Sequence, residues 1–306
     1  MTITIEVGQR PLKEVHREIL AACEAGEPIR VNNTLSRHNL GVGLPDGVDI
    51  TFEGSVGYYC GGLNTGATLR IERNAGWGLG EGMSSGHITC NGYAGMSIGA
   101  AMTGGTIHVK GNSGPRVGVG LPDGVDITFE GSVGYYCGGL NTGARVHIER
   151  NAGWGLGEGM SSGHITCSGY AGMSVGAAMT GGTIHVKGDS GPRVGVGMKA
   201  GNIIVEGKIG YQSGFMAHSG KIIALGGAGD SCADALWEGE VWVAGEIDSL
   251  GVDVNVIEPT AEDVAEVDAI LGPLGLADSS RNWRKMVSGQ RLWYFEARDA
   301  NAWLMI

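Results

Sequence analysis

Aliphatic residues return along this chain at intervals of nineteen. Ile50, Leu69, Ile88, Ile107, Ile127, Val146, Ile165, Ile184, Ile203, Ile222 and Val241 mark the repeat, with a single interval of twenty after Ile107. Two positions after each comes Phe, Ile, Cys or Val, until Ala224. The positions between and after, such as Thr51, Glu53, Arg70 and Glu72, are polar. That alternation has the period of a β-strand, so positions 1 and 3 of each line face inward and positions 2 and 4 face outward. Position 8 is glycine in all ten lines: Gly57, Gly76, Gly95, Gly114, Gly134, Gly153, Gly172, Gly191, Gly210 and Gly229. Position 12 is glycine in nine, with Ala233 the exception. Glycine admits positive φ and close backbone approach, which marks these as structural corner positions.

A short strand and glycine corners in every line predict a β-solenoid. One line makes one coil, and each coil pairs with the next at ~4.8 Å. Each coil buries its inner face only against its neighbours, so coils can be added without changing the fold. The end coils would expose unpaired strand edges, so caps are expected. Residues 11–25 read as an amphipathic helix with Leu12, Val15, Ile19 and Ala22 on one face, placed over the first coil. Residues 29–49 read as an irregular first coil. A second helix starts at Pro259-Thr260, where Thr260 and Asp263 form a capping-box pattern. Its apolar face is Val264, Val267, Ile270 and Leu271. The outward face of the last coils turns apolar just there, at Ile204, Ile223, Leu225 and Trp242, and is read as receiving this helix or a partner. The chain thus divides into an N-terminal strand and capping helix (1–28), a β-helix (29–257) and a C-terminal helix with an aromatic-basic tail (258–306).

A longer repeat overlies the short one. Residues 41–117 and 118–194 differ at six of 77 positions, and 41–67 is identical to 118–144. The doubled segment is four whole coils, so it lengthens the rod by roughly 19 Å without changing the register that follows. Its substitutions obey the same pattern. Leu69/Val146 and Ile98/Val175 fall on inward positions and stay aliphatic, while Arg70/His147 and Asn91/Ser168 fall outward and stay polar. Near identity implies a recent event, natural or engineered.

Composition agrees with a glycine-cornered solenoid, since 58 of 306 residues are glycine. No strict Gly-X-Y triplet occurs, which excludes collagen. The net charge of −11 argues against nucleic acid as the main partner. No leader peptide and no apolar run of membrane-spanning length is read in the sequence, so a cytoplasmic protein is expected.

Candidate chemistry is sparse. GWGLGEG (76–82 and 153–159) contains G-x-G-x-G, but a strand follows it where a dinucleotide site needs a helix. Cys60, Cys137 and Cys232 lie at position 11, and Cys90 and Cys167 at position 3, inward columns where cysteine acts as a small hydrophobe. His147 and His164 lie one coil apart near one edge, with no third metal ligand evident. Tyr58-Tyr59 and Tyr135-Tyr136 sit at turns, as packing or as a stacking surface. No catalytic, cofactor-binding or metal-binding residue is assigned. The tail 281–306 carries three of the seven tryptophans and five basic residues against two acidic ones. Trp283, Arg284, Arg291, Trp293, Tyr294 and Phe295, together with Trp242, are the candidate partner interface.

The lines VEGKIGYQSGFMAHSGKIIALGGAGDS and FEGSVGYYCGGLNTGA resemble the glycine-rich β-helix domain that ends the large subunit of glutamate synthase. The resemblance covers roughly 29–250, and the ending SGQRLWYFEARDA looks like the stand-alone β-helix chains of the N-methylglutamate synthase type. It implies an all-β, right-handed, single-stranded β-helix, here of about ten coils with short capping helices at both ends. It implies a non-catalytic scaffold that binds no cofactor itself. Its partners would be an amidotransferase-like subunit and one that carries FMN and an iron–sulfur cluster. A scaffold like the β-helix chain of formylmethanofuran dehydrogenase, an engineered extended solenoid and a self-contained β-helix enzyme are the alternatives.

Overall fold

The computed structural model describes residues 1–290. Twelve coils stack in parallel from the strand Ile29–Asn32 to the strand Glu240–Val243. The position-1 residues form one continuous column, in which Ile29 pairs with Ile50, Ile50 with Leu69, and so on to Ile222 with Val241. The expected ten coils become twelve because the irregular residues 29–49 and the strand Glu240–Val243 also complete rungs. The interval of twenty is absorbed outside the strands, since Ile107 still pairs with Ile127.

A second inward column runs through position 7, where Val56, Ala75, Ala94, Ser113, Val133, Ala152, Ala171 and Ser190 bridge in turn. The short strands Lys208–Ile209, Gly227–Ala228 and Glu246–Ile247 continue it. Positions 1, 3, 7 and 11 converge on a single buried core along the rod. The core holds one hydrogen-bonded asparagine per copy. Asn64 is fully buried, and its side chain accepts from Ala67 N and donates to Ala67 O, both at 2.9 Å. Asn141 repeats this in the second copy.

The two glycine columns have different causes. A Cβ on Gly76, Gly95, Gly114, Gly134, Gly153, Gly172, Gly191, Gly210 or Gly229 would lie 2.6–3.0 Å from the carbonyl carbon of the position-8 glycine one coil earlier. Gly57 meets Ser36 O at 2.4 Å in the same way. None of these glycines has positive φ, so close approach alone requires them and the expectation of positive φ does not hold there. Position 12 supplies the left-handed turn instead, and the exception Ala233 adopts it too, at φ 63°.

Position 10 is also left-handed in all ten lines, although the sequence does not mark it. Tyr59, Ser97, Arg116, Tyr136, Ser174, Arg193, Gln212 and Ser231 have φ between 55° and 62°. Such a conformation costs about 1–2 kcal/mol for a residue with a Cβ. Hydrogen bonds between coils offset it: Tyr59 N donates to Trp77 O at 2.8 Å, and Tyr136 N to Trp154 O at 2.7 Å.

At the N-terminal end the strand Ile3–Glu6 pairs in parallel with Ile29–Asn32. Helix α1 (Leu12–Cys23) links them and lays Val15, Ile19 and Ala22 into the open end of the core. Among the described residues no helix is long and apolar enough to cross a membrane.

The glycine columns generate a direct test. Gly153→Ala drives a methyl group to 2.7 Å from Gly134 C and is expected to cost about 3 kcal/mol. Gly197→Ala has nothing within 4 Å and suffers only its φ of 62°, about 1 kcal/mol. Denaturant midpoints of the two variants should separate in that order.

Candidate partner interface

Position 2 of the strand wall is polar for eight coils, from Thr51 to His185, and then becomes Ile204, Ile223 and Trp242. These three pair across successive coils and are fully buried. Helix α2 (Ala261–Leu271) covers them. Thr260 caps it, accepting from Asp263 N at 3.2 Å, while Asp263 Oδ2 accepts from Thr260 N at 2.8 Å. Val267 and Leu271 are buried on the patch, with Val264 and Ile270 packed beside them. A 3-10 turn at Gly272–Leu274 reverses the chain. Trp283 then meets Trp242 edge to face at 6.0 Å, and the strand Arg284–Ser288 closes the last coil, antiparallel to both Glu240–Val243 and Val254–Ile257.

The described part of the candidate interface is therefore an internal seam. Trp242 is fully buried and Trp283 is 4% exposed, because α2 fills the patch that the sequence left open to helix or partner. Arg284 is half-buried, and its guanidinium donates to Gly245 O. Arg291, Trp293, Tyr294 and Phe295 lie outside the described residues.

A charge network locks this seam. Lys285 Nζ lies 2.7 Å from Asp263 Oδ1 and 2.8 Å from Glu240 Oε1, and 5.2 Å from the centre of the Trp242 ring. Glu240 Oε2 accepts from Trp242 Nε1 at 3.0 Å and meets Lys221 Nζ at 3.1 Å, while Lys221 reaches Glu266 at 3.3 Å. Burial pushes the Glu240 carboxyl up, but hydrogen bonds from Lys285, Trp242 and Lys221 outweigh it and hold the group below its usual range. The Lys285 hydrogen bond, with those of Thr260, holds Asp263 down at about 2. Burial would lower Lys285, yet Asp263 and Glu240 raise it. Only the capping box was legible in the sequence. Its ion partners come from coils and tail distant in the chain, with no spacing signal.

The exposed apolar surface lies elsewhere. Of nineteen large hydrophobic side chains exposed among the described residues, twelve sit between one strand and the next, at positions 6, 9, 10 and 14 of the coil. They include Tyr58, Tyr59, Leu63 and Trp77 in the first copy and Tyr135, Leu140 and Trp154 in the second. Tyr58 stacks on Trp77 at 4.9 Å, and Tyr135 meets Trp154 at 5.1 Å. The recurrence of position 9, as Tyr58, Trp77, Met96, Tyr135, Trp154, Met173 and Tyr211, is the signal that could have found this stripe.

The other candidates resolve simply. Cys60, Cys90, Cys137, Cys167 and Cys232 are buried free thiols, and burial pushes each up, Cys232 to about 12. His147 and His164 do not pair, because the register sets His147 opposite Thr166 and His164 opposite Arg145 and Thr183. The structure instead places His108 Nε2 2.7 Å from Glu130 and His185 Nε2 2.8 Å from Glu206. No group of three His, Cys, Asp or Glu among the described residues is placed to hold a metal ion.

No protein-family model matches the chain. Over 84 residues, 27% of its length, it is 35% identical to protein GlxC of Rhizobium meliloti (strain 1021), and the match spans 37% of that protein. Among solved structures, the formyltransferase/hydrolase complex FhcABCD from Methylorubrum extorquens, with methylofuran, has a chain of 23% identity. The alignment covers 76% of this chain and 70% of that one, at a TM-score of 0.37.

The charge network makes the cap acid-sensitive. Asp263 titrates lower in the folded chain than its ordinary 3.8, so its contribution is complete above that value and lost as pH falls toward 2. Hydrogen exchange of the α2 amides should show the cap opening over that range before the coils do. Lys285→Met should weaken the cap at neutral pH and flatten its pH dependence. An unchanged acid profile in that variant would remove the assigned role of Lys285.

Proposed function

We propose that this chain is a scaffold of a glutamate-synthase-like complex in the cytoplasm, of the N-methylglutamate synthase type. In this reading it holds an amidotransferase-like partner and an FMN and iron–sulfur partner, and both reactions take place on those partners. The glycine lines that resemble the glutamate synthase β-helix domain support the family, and the 84-residue similarity to protein GlxC is compatible with it. The observation that carries the scaffold role is the aromatic stripe. A rod of twelve coils that gathers most of its exposed large apolar side chains between its strands presents a long docking wall. Aromatic side chains of this kind are the usual anchors of protein interfaces.

Co-expression with amidotransferase-like and flavin-dependent partners tests the reading. One complex containing all three chains is expected on size exclusion. Tyr58→Asp with Tyr135→Asp should release a partner, while the solenoid keeps its circular dichroism. Truncation belongs after Gln290, since removing 281–306 would also strip Trp283 and Lys285 from the cap. Separate elution of the wild-type chains, or turnover by the isolated chain, would overturn the scaffold reading.

A further inference from the structure

The duplication sets one sequence in two different surroundings. Tyr58, Tyr59, Trp77, Gly78 and Glu81 of the first copy correspond to Tyr135, Tyr136, Trp154, Gly155 and Glu158 of the second. The preceding coil differs. Before the first copy it presents His38-Asn39, and before the second, at the seam between copies, Pro115-Arg116. The backbone match is close: Asn39 N donates to Tyr58 O at 2.7 Å and Arg116 N to Tyr135 O at 2.8 Å.

The side chains then diverge. His38 lies flat on Tyr58, with centroids 4.3 Å apart and planes 17° apart, and its Nδ1 accepts from Tyr58 N at 2.9 Å. Tyr58 in turn lies within 13° of Trp77. Stacking thus engages both faces of Tyr58. At the seam Pro115 brings no aromatic ring, and Tyr135 is tilted 40° from Trp154. A cleft of about 440 Å³ opens there, lined by Arg116, Tyr135, Tyr136, Trp154, Gly155 and Glu158. Among the described residues neither the Arg116 guanidinium nor the Glu158 carboxylate is held in an ion pair.

Each lining group selects for a chemical feature. A guanidinium offers a rigid fork of donors suited to carboxylate or phosphate. Tilted Tyr and Trp rings offer faces on which a flat ring can stack. An ionised Glu only accepts, so it suits an amino, ring N–H or hydroxyl donor. We propose that the seam cleft binds a small flat aromatic or heteroaromatic molecule bearing one anionic group. Its ring lies against Tyr135 and Trp154, its anion on Arg116, and a donor on Glu158. The site is a product of the duplication, because only the seam brings Pro115-Arg116 beneath these aromatics; it shares Tyr135 and Trp154 with the docking wall, so its binding is tested on the chain without partners.

Calorimetric titration of the full chain tests this with AMP and 4-hydroxybenzoate as phosphate-bearing and carboxylate-bearing probes. Adenosine and inorganic phosphate supply each half alone. At least one of the first pair is expected to bind at one site per chain, and each half alone about tenfold weaker or worse. Arg116→Asn, which installs the residue found at 39 and tolerates the left-handed φ of 58°, should weaken binding by a similar factor. His38→Pro with Asn39→Arg should open the first-copy cleft and raise the stoichiometry to two. No binding of either AMP or 4-hydroxybenzoate at millimolar concentration would overturn the proposal. So would binding that Arg116→Asn leaves unchanged, or a stoichiometry that stays at one in the double variant.

Discussion

In each coil the backbone at position 8 rests on the backbone of the coil before it, closer than any side chain would permit. Gly153 illustrates the constraint, with the space for its Cβ already occupied by the carbonyl carbon of Gly134. Everything else in the rod follows from that contact. It holds successive coils in the register that aligns the position-1 and position-7 columns, and the aligned columns make the core continuous. It also keeps the coils close enough for the left-handed turns at position 10 to exchange hydrogen bonds. Those bonds let tyrosine, serine and arginine occupy a conformation that an isolated turn would reserve for glycine or asparagine.

A stack built this way has no natural stop, so its ends need devices of another kind. At the N-terminal end the strand Ile3–Glu6 extends the ladder and an amphipathic helix covers the open end of the core. The C-terminal end combines three devices. The strand wall turns apolar, α2 covers it, and an antiparallel strand closes the last ladder. Two tryptophans provide most of the aromatic surface there, and Lys285 ties helix, coil and closing strand together through Asp263 and Glu240. Charges this shielded are screened less than surface pairs and add orientation to the apolar contact.

Doubling four coils leaves the fold intact because each coil interacts only with its neighbours. The same locality means that the copies are not equivalent. Identical tyrosines and tryptophans stack in parallel over His38 in one copy and tilt against each other beside Pro115 in the other. A duplicated segment in a solenoid therefore carries its own interior with it and acquires new surfaces only at its seams.

Most of the architecture was legible from residues close in sequence. The nineteen-residue return of Ile, Leu and Val set the coil, the Thr260–Asp263 spacing set the start of α2, and Val15, Ile19 and Ala22 set the buried face of α1. These are local patterns, and local geometry determines them. Tertiary structure alone decided the rest. Nothing in the sequence says whether Ile204, Ile223 and Trp242 meet a helix of the same chain or another protein, because apolar surface is not directional. The pairing of Lys285 with Asp263 and Glu240 joins residues from three separate elements. The left-handed turns at position 10 are invisible because their stabilisation comes from the next coil and not from the residue itself. The cleft at Arg116 exists only because stacking sets that residue beneath Tyr135, nineteen positions along the chain and one coil away in space.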